Sequence, residues 1–355
     1  MTNLLLRPLD SMFFGRGLPF AAGESDSSAG VPLPPPSVAC GALRSAFFSE
    51  HPDELPLATG NATQNTEAND TPEARKDMCL THWSLYSASD QESLFPAPLD
   101  FALNEDNQLE LLRLETNSDG LCSVPGNLPY RLRVEKIEKK PNAPTGCWVR
   151  YLADYLQGKT PCLWKAEDVF LPEPKIGLTR DTATKTAQQG MLYQLPMLRF
   201  KENIRFALSY ENLAFVPSML RLGGQTRVCT AEKTSASFAI QPGDISNGCF
   251  KLYVATPAIF SDGWRPEFLQ DGKYELCAAC VGNAVPISGW GMKARRPKPL
   301  CLTVPAGSVY YLKLTENTAQ ARNEVIERFH GKAISSKLLD KRQGFGIVYV
   351  GGWNA

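Results

Sequence analysis

The sequence predicts an α+β fold, and three observations lead to that class. Short apolar runs of strand length recur along the chain, few segments have helical periodicity, and loops rich in Gly and Pro separate them. At 355 residues the chain exceeds the usual size of one hydrophobic core, so we expect two packed domains. We place the division near residue 205, which gives an N-terminal domain of residues 1–204 and a C-terminal domain of residues 205–355.

The N-terminal half is expected to begin with a strand at residues 3–9 and a short buried helix at residues 38–48. Ser37 stands directly before that helix and is a residue type that caps helix N-termini. The polar, acidic stretch of residues 50–77 predicts a loop. Further predicted elements are a hairpin of residues 101–104 and 108–114, a short helix at residues 151–157, a hairpin within residues 176–193, and strands at residues 191–200 and 204–210.

The C-terminal half is predicted to contain three strands and one long helix. The strands are expected at residues 250–255, 309–314 and 347–350. The first half of residues 317–342 is predicted to be helical, because Ala321, Val325 and Phe329 are spaced to form one apolar stripe.

The charge of the chain is balanced in total but uneven along the sequence. With 37 basic and 37 acidic residues the net charge is zero, which argues against a generic nucleic-acid binder. Residues 45–112 contain 13 acids and two bases, whereas residues 276–315 contain five bases and no acid. We expect the basic region to face phosphates and the acidic region to face solvent or a protein partner. Two solvated faces of opposite sign are the alternative.

Features of the sequence favour a cytoplasmic protein without a cofactor or metal. No apolar run approaches the ~18 residues that a membrane-spanning helix needs, and the first residues lack the basic region of a signal peptide. The ten cysteines are irregularly spaced, as expected for thiols in a reducing compartment. Cys277 and Cys280 form the one Cys-x-x-Cys pair, and with three histidines in the chain a zinc site is the minority alternative.

Two motifs are candidates for RNA contact. Gly344-Phe-Gly346 and the residues around it partly match the aromatic octamer of RNA-recognition domains. The two glycines would let backbone amides approach phosphates. A tight turn that leads into a buried strand is the alternative. The second motif has four cations within residues 293–298, next to Trp290 as a stacking platform for a base. Its alternative is a solvated surface loop.

The sequence contains no recognisable catalytic constellation. His51, His82 and His330 are not adjacent to residues that would activate a nucleophile, so we expect no enzymatic activity. Acid–base cleavage of RNA needs few residues assembled in space, however, and a nuclease stays open as an alternative.

Several ordered blocks carry a family resemblance. Residues 8–20 and 33–44, followed by 175–182, 190–193, 222–227, 256–264, 289–299, 304–311 and 344–346, together resemble the third subunit of CRISPR type III-B (Cmr) effector complexes, of the repeat-associated (RAMP) superfamily. The resemblance spans residues 4–353. It implies two tandem ferredoxin-like (RRM-like) domains with long loop insertions, which face one another across a cleft.

The resemblance also implies a function in antiviral defence. The expected role is that of a non-catalytic, crRNA-binding subunit of a ribonucleoprotein, which holds the 5′ repeat-derived handle of the crRNA. Its expected partners are the large polymerase/cyclase-like subunit and a backbone RAMP subunit. A guide-RNA precursor-processing endoribonuclease of the same superfamily and a purely structural adaptor are the alternatives.

The predicted RNA-binding residues lie in or beside these blocks. They are Arg16, Gly41, Arg44, Arg180, Lys185, Gly223, Gly224, Arg227, Trp290, Lys293, Arg295, Arg296, Gly344, Phe345 and Gly346. The tip of the hairpin within residues 176–193 is expected to project as a thumb against the guide or a neighbouring subunit. Six to eight phosphate contacts would lower the affinity on the order of a thousandfold between 50 and 200 mM salt.

Overall fold

The computed structural model describes residues 1–15, 31–54, 77–103, 109–117, 128–133, 144, 146–291 and 295–354. In this part of the chain the protein is a mixed α/β structure with two large antiparallel sheets and few helices. The strands are β1 (Thr2–Pro8), β2 (Cys79–Ser87), β3 (Glu92–Pro96), β4 (Phe101–Leu103), β5 (Leu109–Leu111), β6 (Arg113–Thr116), β7 (Tyr130–Arg133), β8 (Trp148–Arg150), β9 (Cys162–Trp164), β10 (Phe170–Pro172), β11 (Lys175–Arg180), β12 (Ala187–Leu195), β13 (Leu198–Phe200), β14 (Ile204–Glu211), β15 (Met219–Arg221), β16 (Val228–Lys233), β17 (Cys249–Val254), β18 (Tyr274–Cys280), β19 (Val285–Ile287), β20 (Trp290–Gly291), β21 (Arg296–Pro297), β22 (Cys301–Thr303), β23 (Val309–Leu314), β24 (Lys332–Ala333) and β25 (Ile347–Gly352). The α-helices are α1 (Pro36–Glu50), α2 (Leu152–Leu156), α3 (Ala166–Val169), α4 (Ala319–Phe329) and α5 (Leu338–Arg342), and two 3₁₀ helices lie at Pro52–Glu54 and Glu267–Asp271.

The first sheet has eight strands in the order β15-β16-β1-β14-β2-β3-β8-β9. Helix α1 packs on it and buries Ala39, Leu43 and Phe47 in the core. The expectation that Ser37 caps this helix is wrong. The helix begins at Pro36 and its N-cap is Pro35, because the fixed φ of proline suits the first helical position and needs no donor there.

Strand β14 lies in the middle of the first sheet. It pairs with β1 on one side, with Leu208 opposite Leu4, and with β2 on the other, with Phe206 opposite Leu85. The predicted division near residue 205 therefore falls at the start of a strand in the middle of the first sheet. Every strand of the second sheet lies at Cys249 or later, so the change of sheet falls within residues 234–248.

The second sheet has five strands in the order β18-β23-β17-β25-β24. Helix α4 covers it with the predicted stripe: Val325 and Phe329 are buried and Ala321 is partly buried. The hydroxyl of Thr318 accepts a hydrogen bond from the Ala321 amide at 3.1 Å and caps the helix. The predicted helix and the strands β17, β23 and β25 are confirmed.

The two sheets share a core. Phe95, Val149 and Tyr155 pack in one buried cluster with Tyr253 and Tyr349 of the second sheet. Asp100, which follows β3, accepts hydrogen bonds of 2.7 Å from the hydroxyls of Tyr155 and Tyr311. Side chains thus fill the space between the sheets at this point, while the tandem ferredoxin-like arrangement stays a prediction.

Several hairpins extend from the sheets. The predicted hairpins are present as β4–β5 and β11–β12, whereas β6 pairs with β7. Strands β19–β22 and β20–β21 form a further hairpin, here named the arm and defined as residues 285–291 and 295–303. Most of the predicted loop of residues 50–77 lies outside the described residues. No helix in the described part of the chain has the length and hydropathy of a membrane span.

Candidate nucleic-acid interface

A surface cleft lies beside helix α1 and brings three separate segments of the chain together. It has a volume of about 360 Å³, within the range of about 300–1,000 Å³ that ligand sites occupy. We name it the α1 cleft. Its lining is Phe14 and Gly15, Pro34 and Pro35, then Val38, Gly41, Ala42 and Ser45 of α1, and finally Arg221, Gly223 and Gly224.

The loop of residues 222–227 forms one wall of the α1 cleft. Gly223 has a φ of +78°, and a Cβ atom there would lie 2.5 Å from the Phe13 carbonyl oxygen and 2.6 Å from the Phe14 ring. The Gly224 amide donates to that same carbonyl at 2.9 Å. Gly223 is therefore required by its backbone conformation and close packing, and the amide of Gly224 is already engaged inside the protein.

Arg227 closes this loop and anchors it to the end of β1. Its guanidinium pairs with the Asp10 carboxylate, which also accepts from Arg199 at 3.1 Å. The Ser11 backbone N–H is the largest cause of the lowered pKa of Asp10, and Arg227 and Arg199 lower it further. Arg227 is half-buried and ion-paired, so its charge is already partly compensated.

Helix α1 presents an open face to the α1 cleft. Among the described residues, no atom outside the backbone of α1 lies within 4 Å of a Cβ built at Gly41, and Ser45 is one turn further along. Arg44 is half-buried on the same helix, and its Nε has no hydrogen-bond partner among the described residues. Burial lowers the pKa of Arg44. A phosphate at the remaining guanidinium nitrogens would stabilise this charge.

Two polar residues of the α1 cleft, Arg221 and Ser45, are absent from the sequence-based set. Arg221 is exposed at the edge of the first sheet and forms no ion pair with a carboxylate of the described residues. In the sequence, a basic residue two positions before Gly223-Gly224 could have pointed to Arg221. The pattern does not show which side of the edge strand β15 faces α1. Ser45 lies one turn after Gly41, and only the position of the helix on the sheet reveals it.

The other predicted cations lie on projecting hairpins and do not line the α1 cleft. Arg180 and Lys185 are exposed near the end of the β11–β12 hairpin, and Trp290, Arg295 and Arg296 are exposed on the arm. RNA contact at these five residues stays a prediction. Arg16 and Lys293 lie outside the described residues.

The Gly344-Phe345-Gly346 segment is buried where the two sheets meet. Gly344 has a φ of +84°, and a Cβ there would lie 2.6 Å from Leu80 Cδ2 of the first sheet. Phe345 is 3% exposed, and Gly346 packs on Ser335. The close approach of the two sheets accounts for Gly344, and packing against Ser335 and Ala258 accounts for Gly346. RNA contact at these three residues stays a prediction.

The histidines have structural partners. His82 is buried, its Nε2 lies 2.9 Å from the Ser84 hydroxyl and its Nδ1 lies 3.3 Å from the Tyr349 hydroxyl. Burial lowers the pKa of His82 to about 3. His330 Nε2 lies 2.7 Å from the Ile240 carbonyl, and His51 stacks on Phe47.

The Cys-x-x-Cys pair has its thiols directed at different carbonyls. Cys280 donates to Leu99 at 2.7 Å and Cys277 to Glu275 at 3.8 Å. Burial raises the pKa of Cys277 to about 11 and that of Cys280 to about 12. Within the described residues no three His, Cys, Asp or Glu side chains come together as a metal site would require.

Comparison with known protein families identifies the chain at the family level. The model of the CRISPR-associated protein family Cas_Cmr3 matches residues 4–353. The chain belongs to this family. Membership confirms the predicted resemblance and makes the protein a subunit of a type III CRISPR effector, while its place as the third subunit stays a prediction. A search of curated proteins finds no match.

Comparison with solved structures finds chains to which this chain is similar. One is in a cryo-EM structure of the type III-B Cmr-beta bound to cognate target RNA and AMPPnP, with 15% identity over 87% of this chain and 86% of that chain and a TM-score of 0.48. Another is in the Csm3-Csm4 subcomplex of the type III-A interference complex, with 12% identity over 100% of both chains and a TM-score of 0.41. These TM-scores are too low to assign a function to this protein.

Proposed function

We propose that this protein is a non-catalytic subunit of a type III-B CRISPR effector that binds the 5′ repeat-derived handle of the crRNA in the α1 cleft. The observation that carries the proposal is the convergence of Gly41, Gly223 and Gly224 on one cleft beside the exposed Arg221 guanidinium. These residues come from two sequence blocks that are far apart in the chain. Their shared position supports a common ligand.

The chemistry of the α1 cleft suits a single-stranded nucleic-acid backbone. The missing side chain of Gly41 leaves room for a sugar–phosphate chain beside α1, and Arg221 supplies charge-assisted hydrogen bonds to a phosphate. Arg44 adds a second cation on the same helix. The apolar walls at Val38 and Phe14 offer surface for a sugar or base. Docking on the large polymerase/cyclase-like subunit and on the backbone RAMP subunit is part of the proposal.

Gly41→Phe tests the site, because the new side chain fills the α1 cleft without meeting any atom of the fold within 4 Å of its Cβ. The matched control is Asn323→Phe on the exposed face of α4. We expect Gly41→Phe to weaken binding of crRNA to the full-length protein by about tenfold or more, and Asn323→Phe to leave it unchanged. Fluorescence anisotropy with labelled crRNA measures both. Equal affinities for the two variants would exclude the α1 cleft as the binding site.

Handle recognition is tested with the RNA. Guides with an intact, scrambled or deleted 5′ handle are titrated against this protein alone and with the large subunit. A loss of affinity confined to the altered handles supports the proposal, whereas equal binding of all three favours a structural adaptor. Incubation with precursor RNA tests the absence of catalysis, and cleavage that is lost on substitution of His51 would contradict it.

A further inference from the structure

The arm exposes an apolar surface that an RNA-binding role does not require. Leu302 is 64% exposed, Trp290 57% and Leu300 54%. Leu302 lies opposite Pro286 in the β19–β22 pair, so these two side chains point to the same face, and Leu300 is two residues from Leu302. Trp290 stacks well on a base, but leucine side chains have no comparable interaction with nucleic acid. Two neighbouring exposed leucines are typical of a surface that protein covers.

The charged residues of the arm itself are all basic. Arg295 and Arg296 are exposed at the end of the arm, and residues 276–315 contain no acid. Lys298 interacts electrostatically with Asp340 of α5, so its charge is partly opposed within the protein. Arg295 and Arg296 form no ion pair with a carboxylate of the described residues, and they are the basic side chains that the arm offers to a partner.

The arm offers side chains, and few free backbone N–H groups, for contact with a partner. Pro297 and Pro299 have no backbone N–H and lie next to Arg296 and Lys298, so this edge offers few donors for an added strand. Trp and Arg are the residue types that carry most energy at the centre of protein interfaces. Trp290 with the two arginines therefore provides anchors, and the leucines provide apolar area around them.

We infer that the arm docks on a partner protein whose surface is apolar at the centre and acidic around it. The exposed leucines favour an apolar counterpart, and the exposed Arg295 and Arg296 favour carboxylates around it. This surface does not include the α1 cleft, so protein docking and RNA binding use different residues of the same chain. The inference stands whether or not the α1 cleft binds the crRNA handle.

Site-specific photo-crosslinking tests what covers the arm. A photoreactive phenylalanine is placed at position 302, and the matched control has it at Leu171 of β10, which is 53% exposed and not part of the arm. The probe is the effector ribonucleoprotein, assembled in cells with the tagged full-length protein, irradiated and digested with nuclease. We expect the photoreactive residue at position 302 to crosslink to one peptide of another protein subunit, and that peptide to contain more Asp and Glu than Lys and Arg. We expect no such crosslink from position 171.

Three outcomes would overturn the inference. They are a crosslink from position 302 to RNA, a crosslink to a second copy of this protein, and no crosslink above that of position 171. The charge requirement is tested in the same assembly with Arg295→Glu combined with Arg296→Glu. The matched control reverses two exposed lysines of the first sheet region, Lys201→Glu with Lys233→Glu.

The arm variant is expected to lower the yield of the crosslinked partner by about tenfold, and the control to leave it unchanged. An unchanged yield for the arm variant would contradict the acidic partner. Failure of this inference is distinguishable from failure of the proposed function, because the two are read from different measurements: the RNA affinity of Gly41→Phe, and the partner crosslink yield of the arm variant.

Discussion

The substitution Gly223→Ala tests the wall of the α1 cleft. Gly223 combines a φ of +78° with a Cβ position 2.5 Å from a backbone oxygen. A left-handed conformation costs an alanine about 1–2 kcal/mol, and forcing a methyl group into packed atoms costs a further ~1–3 kcal/mol. We therefore expect Gly223→Ala to lower the free energy of unfolding by about 2–5 kcal/mol.

Two other glycines separate the contributions to this cost. Gly272 has a similar φ of +70°, but its Cβ would have no atom within 4 Å, so Gly272→Ala isolates the conformational cost of about 1–2 kcal/mol. Gly41 lies in α1 with open space around it. Gly41→Ala is expected to raise the free energy of unfolding by about 0.5–1 kcal/mol, because glycine is the poorer helix former.

Urea unfolding of the three variants, followed by circular dichroism and tryptophan fluorescence, measures these free energies. The expected order of stability is Gly41→Ala, then wild type, then Gly272→Ala, then Gly223→Ala. If Gly223→Ala is no less stable than Gly272→Ala, the close contact of Gly223 with Phe13 and Phe14 does not exist. The geometry of the α1 cleft derived from that contact would then be refuted.

Three further predictions concern the charge of the α1 cleft and the junction between the sheets. Arg221→Ala should make the slope of log affinity for crRNA against log salt shallower by about 0.7, measured by anisotropy, and an unchanged slope would exclude a phosphate contact there. Burial lowers the pKa of Lys251 from 10.5 to about 8. Between pH 8 and pH 10.5 the Lys251 amine is therefore protonated in the unfolded chain and neutral in the folded chain. Relative to Lys251→Met, wild type should therefore gain up to about 1.4 kcal/mol of unfolding free energy per pH unit as the pH rises from 8 to 10, and urea unfolding with a pH-independent difference would contradict this. Gly344→Ala should be less stable than Gly331→Ala by about 1–3 kcal/mol in urea unfolding, since both have positive φ but only Gly344 would bring a Cβ against Leu80, and equal stabilities would refute the contact between the sheets.

The elements that the sequence predicts well are those with local determinants. The apolar stripe and the Thr318 cap lie within α4, and the apolar runs of β17, β23 and β25 are buried strands. The role of β14 depends on pairing with the first residues of the chain, about 200 positions away. No local pattern contains that information, so the sequence does not show that β14 lies in the middle of a sheet. The domain division near residue 205 stays a prediction.

The candidate site could be predicted only in part, because the sequence shows its local motifs and does not show the contacts between distant segments. Gly41, Gly223 and Gly224 stand in blocks that can be recognised in the sequence, and the fold brings them together. Arg227 stands in one of those blocks too, but its ion pair with Asp10 joins segments that are far apart. Phe345 is buried as well, which the glycine-rich pattern around it does not show. A sequence pattern identifies glycines and cations without showing which of them the tertiary structure already occupies.

The distribution of the cations changes the expected salt dependence. The sequence favours six to eight phosphate contacts, whereas the α1 cleft has Arg221 in its lining and Arg44 on the same helix, and Arg227 is held by Asp10. Two contacts with single-stranded RNA give a slope of about −1.4, a loss of roughly sevenfold between 50 and 200 mM salt instead of about a thousandfold. A steep slope for the isolated protein that becomes shallow in Arg295→Glu/Arg296→Glu would place RNA on the arm. A shallow slope that this substitution does not change agrees with RNA in the α1 cleft and leaves the basic arm available for an acidic protein.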